Sequence, residues 1–235
     1  MARVSRPLLA VVSAALVIAG SAAAAGPAIR HTTAGTAAAR ASLITKSDLG
    51  SGWTATPTPS TGIQVICTGH VPSGTGIVET GAASSPSFAG GKLGPFIVQE
   101  TSVYATQGEA GTWWKRAVTA GLVSCARQSL DTIRSKGIKV KLISQGPLTV
   151  QQVGPMTAGY RVVAALTSKT QKGLKTYVDW ILVGSGKSLT EIMISSFQQV
   201  PAKYEYALAL IAYHNMGGQI SRSAGGSSGS KLPSA

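Results

Sequence analysis

This 235-residue chain predicts an α+β fold, with helices packed on an antiparallel β-sheet and one disulfide. Three observations carry that prediction. Four runs rich in β-branched and aromatic residues follow one another between residues 138 and 197, joined by short polar connections. A long stretch before them and a shorter one after them repeat apolar residues at three-and-four spacing. The two cysteines, Cys67 and Cys125, form an even set behind an export signal.

The signal comes first. Arg3 and Arg6 precede an uncharged run from Pro7 to Ala19, followed by the small residues Gly20 to Gly26. A basic start, an apolar stretch and an A-x-A site make a secretory signal, residues 1–25, cleaved after Ala25 with Ala23 and Ala24 as alternatives. The run is too Ala-rich to match the roughly 20 solidly apolar residues of a spanning helix. No cysteine follows it for a lipid anchor. The expected product is secreted and extracytoplasmic, without a transmembrane span once the signal is removed.

Residues 26–41 show neither helix nor strand period and read as a linker. Residues 223–235 are Gly, Ser and Pro with a single Lys231, a composition that leaves a tail disordered. Residues 42–222 remain as one domain, ample for a single core.

Within it, Leu43 to Leu49 predicts a short helix ended by Gly50-Ser51-Gly52 before Trp53. Ile63 to Cys67 reads as a strand, and Val71 to Gly94 as a Gly, Ser and Pro-rich excursion. Pro95 to Tyr104 predicts a strand. Thr106-Gln107-Gly108-Glu109 then fits a capping box opening a helix. Its apolar stripe runs through Ala110, Trp113, Ala117, Leu122, Cys125 and Ile133 to a stop at Gly137, with a break expected near Ser124. Ile138 to Ser144, Thr157 to Ser168, Lys175 to Val183 and Leu189 to Phe197 predict a strand meander. Pro201 opens a last helix that fades at Gly217-Gly218. Cys125 lies on the helix stripe and Cys67 at a strand end, so a helix-to-sheet bridge is expected. A nucleophile or metal half-site at Cys67-Thr68-Gly69-His70 is the alternative, and it lacks further ligands.

The candidate motifs reduce on inspection. Gly184-Ser185-Gly186-Lys187-Ser188 resembles the end of a phosphate loop, but Ile181 stands where that pattern needs glycine, and a hairpin turn explains the glycines. Asp179 and Glu191 are the acids of that hairpin. With residues 184 and 187 flanking a two-residue turn, Asp179 faces Ile192 and the two acids lie on opposite faces; a shifted register would unite them. No G-x-S-x-G elbow occurs, and His70 and His214 lack identifiable partners. No catalytic residue, metal ligand or cofactor site is assigned, and Trp113, Trp114 and the lysines form no pattern for specific nucleic-acid binding.

Charge is the one quantitative hint at a partner. Removing Arg3 and Arg6 from 21 basic residues leaves 19 against 8 acids, a net charge of +11. Lys115, Arg116, Arg127, Arg134, Lys136, Lys139 and Lys141 fall in one segment, and Lys169, Lys172 and Lys175 in one hairpin. If the two groups share a surface, they form a contact for an anionic partner.

The segment Leu43-Ile44-Thr45-Lys46-Ser47-Asp48-Leu49-Gly50-Ser51-Gly52-Trp53 resembles the opening of actinobacterial extracytoplasmic sensor-type domains. These form the outer portions of membrane Ser/Thr kinases and occur as free secreted or lipid-anchored proteins. Cys67 after a strand, Cys125 in a helix and the strand Tyr177 to Gly184 extend the resemblance over residues 43–218. The kinase-linked members carry two disulfides, whereas this chain has cysteines for one. The resemblance implies a non-enzymatic fold with a cleft for an unidentified ligand, and no motif-matched binding residue transfers.

The function expected is therefore an exported, non-enzymatic module that binds a small molecule or an anionic envelope component. An extracytoplasmic hydrolase of unrecognised pattern and a basic envelope-binding protein without a pocket are the alternatives.

Overall fold

The computed structural model describes residues 26–57, 73–118, 139–168 and 172–218. Their elements run in the order β1 (Ala28–Ile29), α1 (Thr33–Ala41), α2 (Lys46–Leu49), β2 (Thr54–Thr56), β3 (Val78–Ser84), β4 (Ser87–Ala89), β5 (Phe96–Tyr104), α3 (Gln107–Ala117), β6 (Lys139–Pro147), β7 (Met156–Thr167), β8 (Leu174–Ser185), β9 (Ser188–Ser196) and α4 (Ala202–Asn215). The strands form one sheet in the order β1-β3-β5-β9-β8-β7-β6, with β4 pairing β5 and β2 pairing β4. All described pairings are antiparallel except β1 with β3. The fold is thus α+β and dominated by its sheet.

The alternation of apolar residues on β5, β8 and β9 decides where the core sits. Ile97, Ile181, Val183, Ile192 and Ile194 share one face and pack against Leu208, Ala209 and Ala212 of α4 and against Ile44 and Leu49 around α2. These side chains are nearly or fully buried. The Val, Leu and Ile side chains among them each contribute about 1.5–3 kcal/mol on burial. Trp53 closes the cluster by stacking on Tyr204, ring centroids 6.1 Å apart. On the opposite face, Ala110 and Trp113 of α3 pack with Ile77, Tyr104 and Leu189.

Residues 26–41 are not the linker that their composition predicts. β1 pairs with β3, and α1 lies along β3 and β5. Thr32 caps α1, its hydroxyl accepting from the Gly35 amide at 2.9 Å. The helix is held by small residues. Ala39 is wholly buried, and a Cβ on Gly35 would run into the Thr80 carbonyl, while one on Gly81 would strike the Gly35 backbone. A helix docked through Gly and Ala shows no large apolar stripe, which is why the sequence reads as featureless.

The capping box at α3 forms by half. Thr106 accepts from the Glu109 amide at 3.1 Å, but the Glu109 carboxylate accepts from the Val78 amide of β3 at 2.7 Å and so ties helix to sheet. α3 ends at Ala117; the expected continuation to Gly137 and the break near Ser124 lie outside the described residues. So do the signal, the Ile63 to Cys67 strand, both cysteines and the tail.

Candidate functional site

The antiparallel register gathers part of the basic set. Lys141 pairs with Ala165, and Ala165 with Lys175, so both lysines project from one face two strands apart, about 10 Å at the usual strand spacing. Lys139, two residues before Lys141, pairs with Thr167. The Gly173 amide donates to the Thr167 hydroxyl at 3.0 Å, which brings Lys172 to the same end of the sheet. All four lysines are exposed, and no carboxylate pairs with them among the described residues. Lys175 Nζ lies 5.0 Å from the centre of the Tyr177 ring.

The other basic residues separate from this face. Lys115 and Arg116 belong to α3, on the opposite side of the sheet. Arg116 is engaged by the backbone, donating to the carbonyls of Ser73 at 2.5 Å and Thr75 at 3.1 Å. Arg127, Arg134, Lys136 and Lys169 lie outside the described residues.

The register also places the hairpin acids. Ser185 pairs with Ser188, leaving Gly186 and Lys187 as the turn, so Asp179 faces Ile194 rather than Ile192. Gly186 has φ +57°, the left-handed conformation that a primed turn requires at its first position. That fixes the turn one residue later than the sequence predicts. Both registers put Asp179 and Glu191 on opposite faces, and no shared acid pair forms between them.

Each acid has a different neighbour. Asp179, fully buried, receives Arg161 Nε at 2.5 Å and Nη2 at 2.8 Å; the same Nη2 reaches Glu205 of α4 at 2.5 Å. One guanidinium thus serves two buried carboxylates. Burial, and then the Asp179 charge, push Glu205 up to about 7, against the pull of Arg161. On the other face Glu191 pairs directly with Glu100 across β9 and β5. Burial raises Glu191 to about 7; burial and then the charges of Glu191 and Glu79 raise Glu100 to about 8. The triad was missed in the sequence. Its signal is a charged residue inside an apolar strand: Asp179 within Tyr177 to Val183, and Arg161 before Val162-Val163-Ala164-Ala165. Such residues need buried partners.

A cavity of about 340 Å³ opens where α4 begins. Its walls are the 93–95 turn before β5, which holds the cis Gly94–Pro95 bond, and the 196–204 segment joining β9 to α4. Among the described residues Lys203 is its only charged lining residue. Tyr204 lines it too, 8 % exposed, its hydroxyl buried and without a hydrogen-bond partner among the described residues. A polar group left so costs about 1–3 kcal/mol. Burial pushes its pKa above the ordinary tyrosine value.

The histidines stand apart. His31 Nε2 contacts Glu79 at 2.8 Å on an exposed surface, and exposed His214 lies at the end of α4 with its ring 6.4 Å from Tyr213. His70 is outside the described residues. Among the described residues no three His, Asp or Glu side chains are placed to hold a metal ion, and no helix is long and apolar enough to cross a membrane.

No protein-family model and no curated protein matches the chain. Among solved structures it is similar to the extracellular domain of PknH from Mycobacterium tuberculosis, with 11 % identity and a TM-score of 0.38, covering 76 % of this chain and 92 % of that one. Likeness at that level carries no functional argument.

Proposed function

We propose that the chain is an exported, non-enzymatic module that attaches to an anionic component of the cell envelope through Lys139, Lys141, Lys172 and Lys175. The observation that supports this reading is their common position at one end of β6, β7 and β8. Like charges held together repel, and an anionic surface laid against them relieves that repulsion and releases counterions. The net charge of +11 left once Arg3 and Arg6 go with the signal, 19 basic residues against 8 acids, adds long-range attraction to the same partner. Lysines act as point charges on flexible stems, which suits a polyanion better than one shaped ligand.

The test is co-sedimentation of the full chain with anionic vesicles, neutral vesicles and acidic wall polymer across a salt series. Binding to either anionic material should fall steeply as the Debye length shrinks from about 30 to 8 Å. Equal binding to neutral vesicles, or binding indifferent to salt, contradicts the proposal.

A further inference from the structure

We propose that the lysine face docks on a lipid bilayer with anionic headgroups, and that Ile143 is the apolar anchor that selects a bilayer over a soluble polyanion. Bilayer docking depends on the lysine face proposed above and narrows its partner from any anionic material to a membrane.

The local structure of β6 puts Ile143 among the lysines. Leu142 pairs with Ala164 and Ser144 with Val163, so Ile143 is the extra residue of a β-bulge. Side chains alternate along a strand, and Ile143 follows Lys139 and Lys141 on the same side of β6. The bulge sets Ile143 and Ser144 together opposite Val163, which pairs in turn with Tyr177. Two neighbouring rows result. One carries Lys141, Ala165 and Lys175; the next carries Ile143, Val163 and Tyr177. β6 is the last strand of the described sheet, so Ile143 stands at its edge.

Exposure supplies the second observation. Ile143 is 50 % exposed; of the large apolar side chains that open among the described residues, Ile29 and Leu93 belong to other parts of the sheet and Ile143 alone lies with the lysines. A single exposed isoleucine is ordinary on a protein surface, and its place within the basic group is what matters. A soluble polyanion offers Ile143 nothing, because its contacts are charged and wet. A bilayer offers phosphates to the lysine ammonium groups and acyl chains to the isoleucine. Tyr177 suits the same boundary: it is half-buried, Lys175 Nζ sits 5.0 Å from its ring centre, and tyrosine favours places where an apolar layer meets water. Lysine stems can lie against the acyl boundary while their charges stay at the headgroups. No Asp or Glu occurs in β6, and Asp179 of β8 is buried against Arg161. An anionic leaflet strengthens binding about fivefold for each lysine near it. Half an isoleucine side chain adds about a further fivefold. Salt weakens the first contribution and spares the second.

The experiment compares flotation of the chain, as secreted, on vesicles of phosphatidylglycerol mixed with phosphatidylcholine against its retention on immobilised polyglutamate. Ile143→Ser should weaken vesicle binding about fivefold at low and at physiological salt, and leave polyglutamate retention unchanged. Ile143→Trp should strengthen vesicle binding about threefold or more, again without effect on polyglutamate. Lys141→Glu should weaken both, and by less as salt rises. Vesicle binding indifferent to both Ile143 variants overturns the inference, and so does an equal effect of Ile143→Ser on polyglutamate. In either case the lysine face still stands if Lys141→Glu weakens binding. Failure of the unaltered chain to bind either material overturns the inference and the proposed function together.

Discussion

Glu205 of α4 meets Arg161 of β7 at 2.5 Å, and Arg161 in turn holds Asp179 of β8. The last helix is thereby fixed to the sheet by charge as well as by apolar packing. Arg161→Met leaves two carboxylates in a layer where Asp179 and Glu205 are at most 1 % exposed. Urea denaturation should show a loss of about 3–5 kcal/mol, the usual result of removing one partner of a buried ion pair. Replacing all three residues by apolar ones of similar volume should recover most of it. An Arg161→Met protein as stable as the parent contradicts this role.

The same carboxylates set a pH dependence. Glu205 and Glu191 lie at about 7 and Glu100 at about 8, all raised from an ordinary 4.5. Between those values the folded protein holds protons that the unfolded chain has released. Stability therefore falls as pH rises from about 4.5 through 7 to 8. Each such proton contributes at most about 1.4 kcal/mol per pH unit. The chain should be more stable at pH 5 than at pH 8 by about 2 kcal/mol or more, and Glu205→Gln should flatten part of that slope. A stability curve that rises from pH 5 to pH 8 runs against this.

The elements legible in the sequence are those whose side chains announce a period. β7, β8 and β9 match their predicted runs to within two residues because β-branched and aromatic residues fill them. α1 was illegible because Gly35 and Ala39 make its contact, and closeness of backbone leaves no hydrophobic signature. The turn was misplaced because residues 184–187 offer two glycines, and only the φ of Gly186 chooses between them. The lysines were visible as sequence clusters. Their division between two sides of the sheet depends on pairing, which a local pattern does not contain. Gln99 illustrates the same limit: it is wholly buried, accepts from the Ile44 amide and donates to the Ser42 carbonyl, 55 and 57 residues away.

The docking of α1 makes residues 26–41 part of the fold, which a single methyl group tests. Gly35→Ala favours the helix by propensity yet forces its Cβ into the Thr80 carbonyl. A net loss of about 1–3 kcal/mol is expected in thermal or urea unfolding. A gain in stability would mean that α1 is not seated on β3.

Export has its own two readouts. Intact-mass analysis of secreted protein should give a chain beginning at or near Gly26. Cys67 and Cys125 should react with a thiol probe only after reduction, and Cys125→Ser should cost about 2–5 kcal/mol. Met1 retained in a membrane fraction, or free thiols in the folded protein, contradicts the export reading.

The lysine face is the central claim, and charge reversal reaches it most directly. Lys139→Glu, Lys141→Glu and Lys175→Glu combined alter three exposed side chains and change none of the buried residues that pack on α4. Co-sedimentation with anionic vesicles at low salt, beside a control reversing Lys46, Lys115 and Lys203, measures the effect. The triple variant should lose binding by about tenfold or more while the control, with the same change in net charge, keeps most of it. Equal losses in the two proteins would show that net charge alone governs binding and would contradict a specific face.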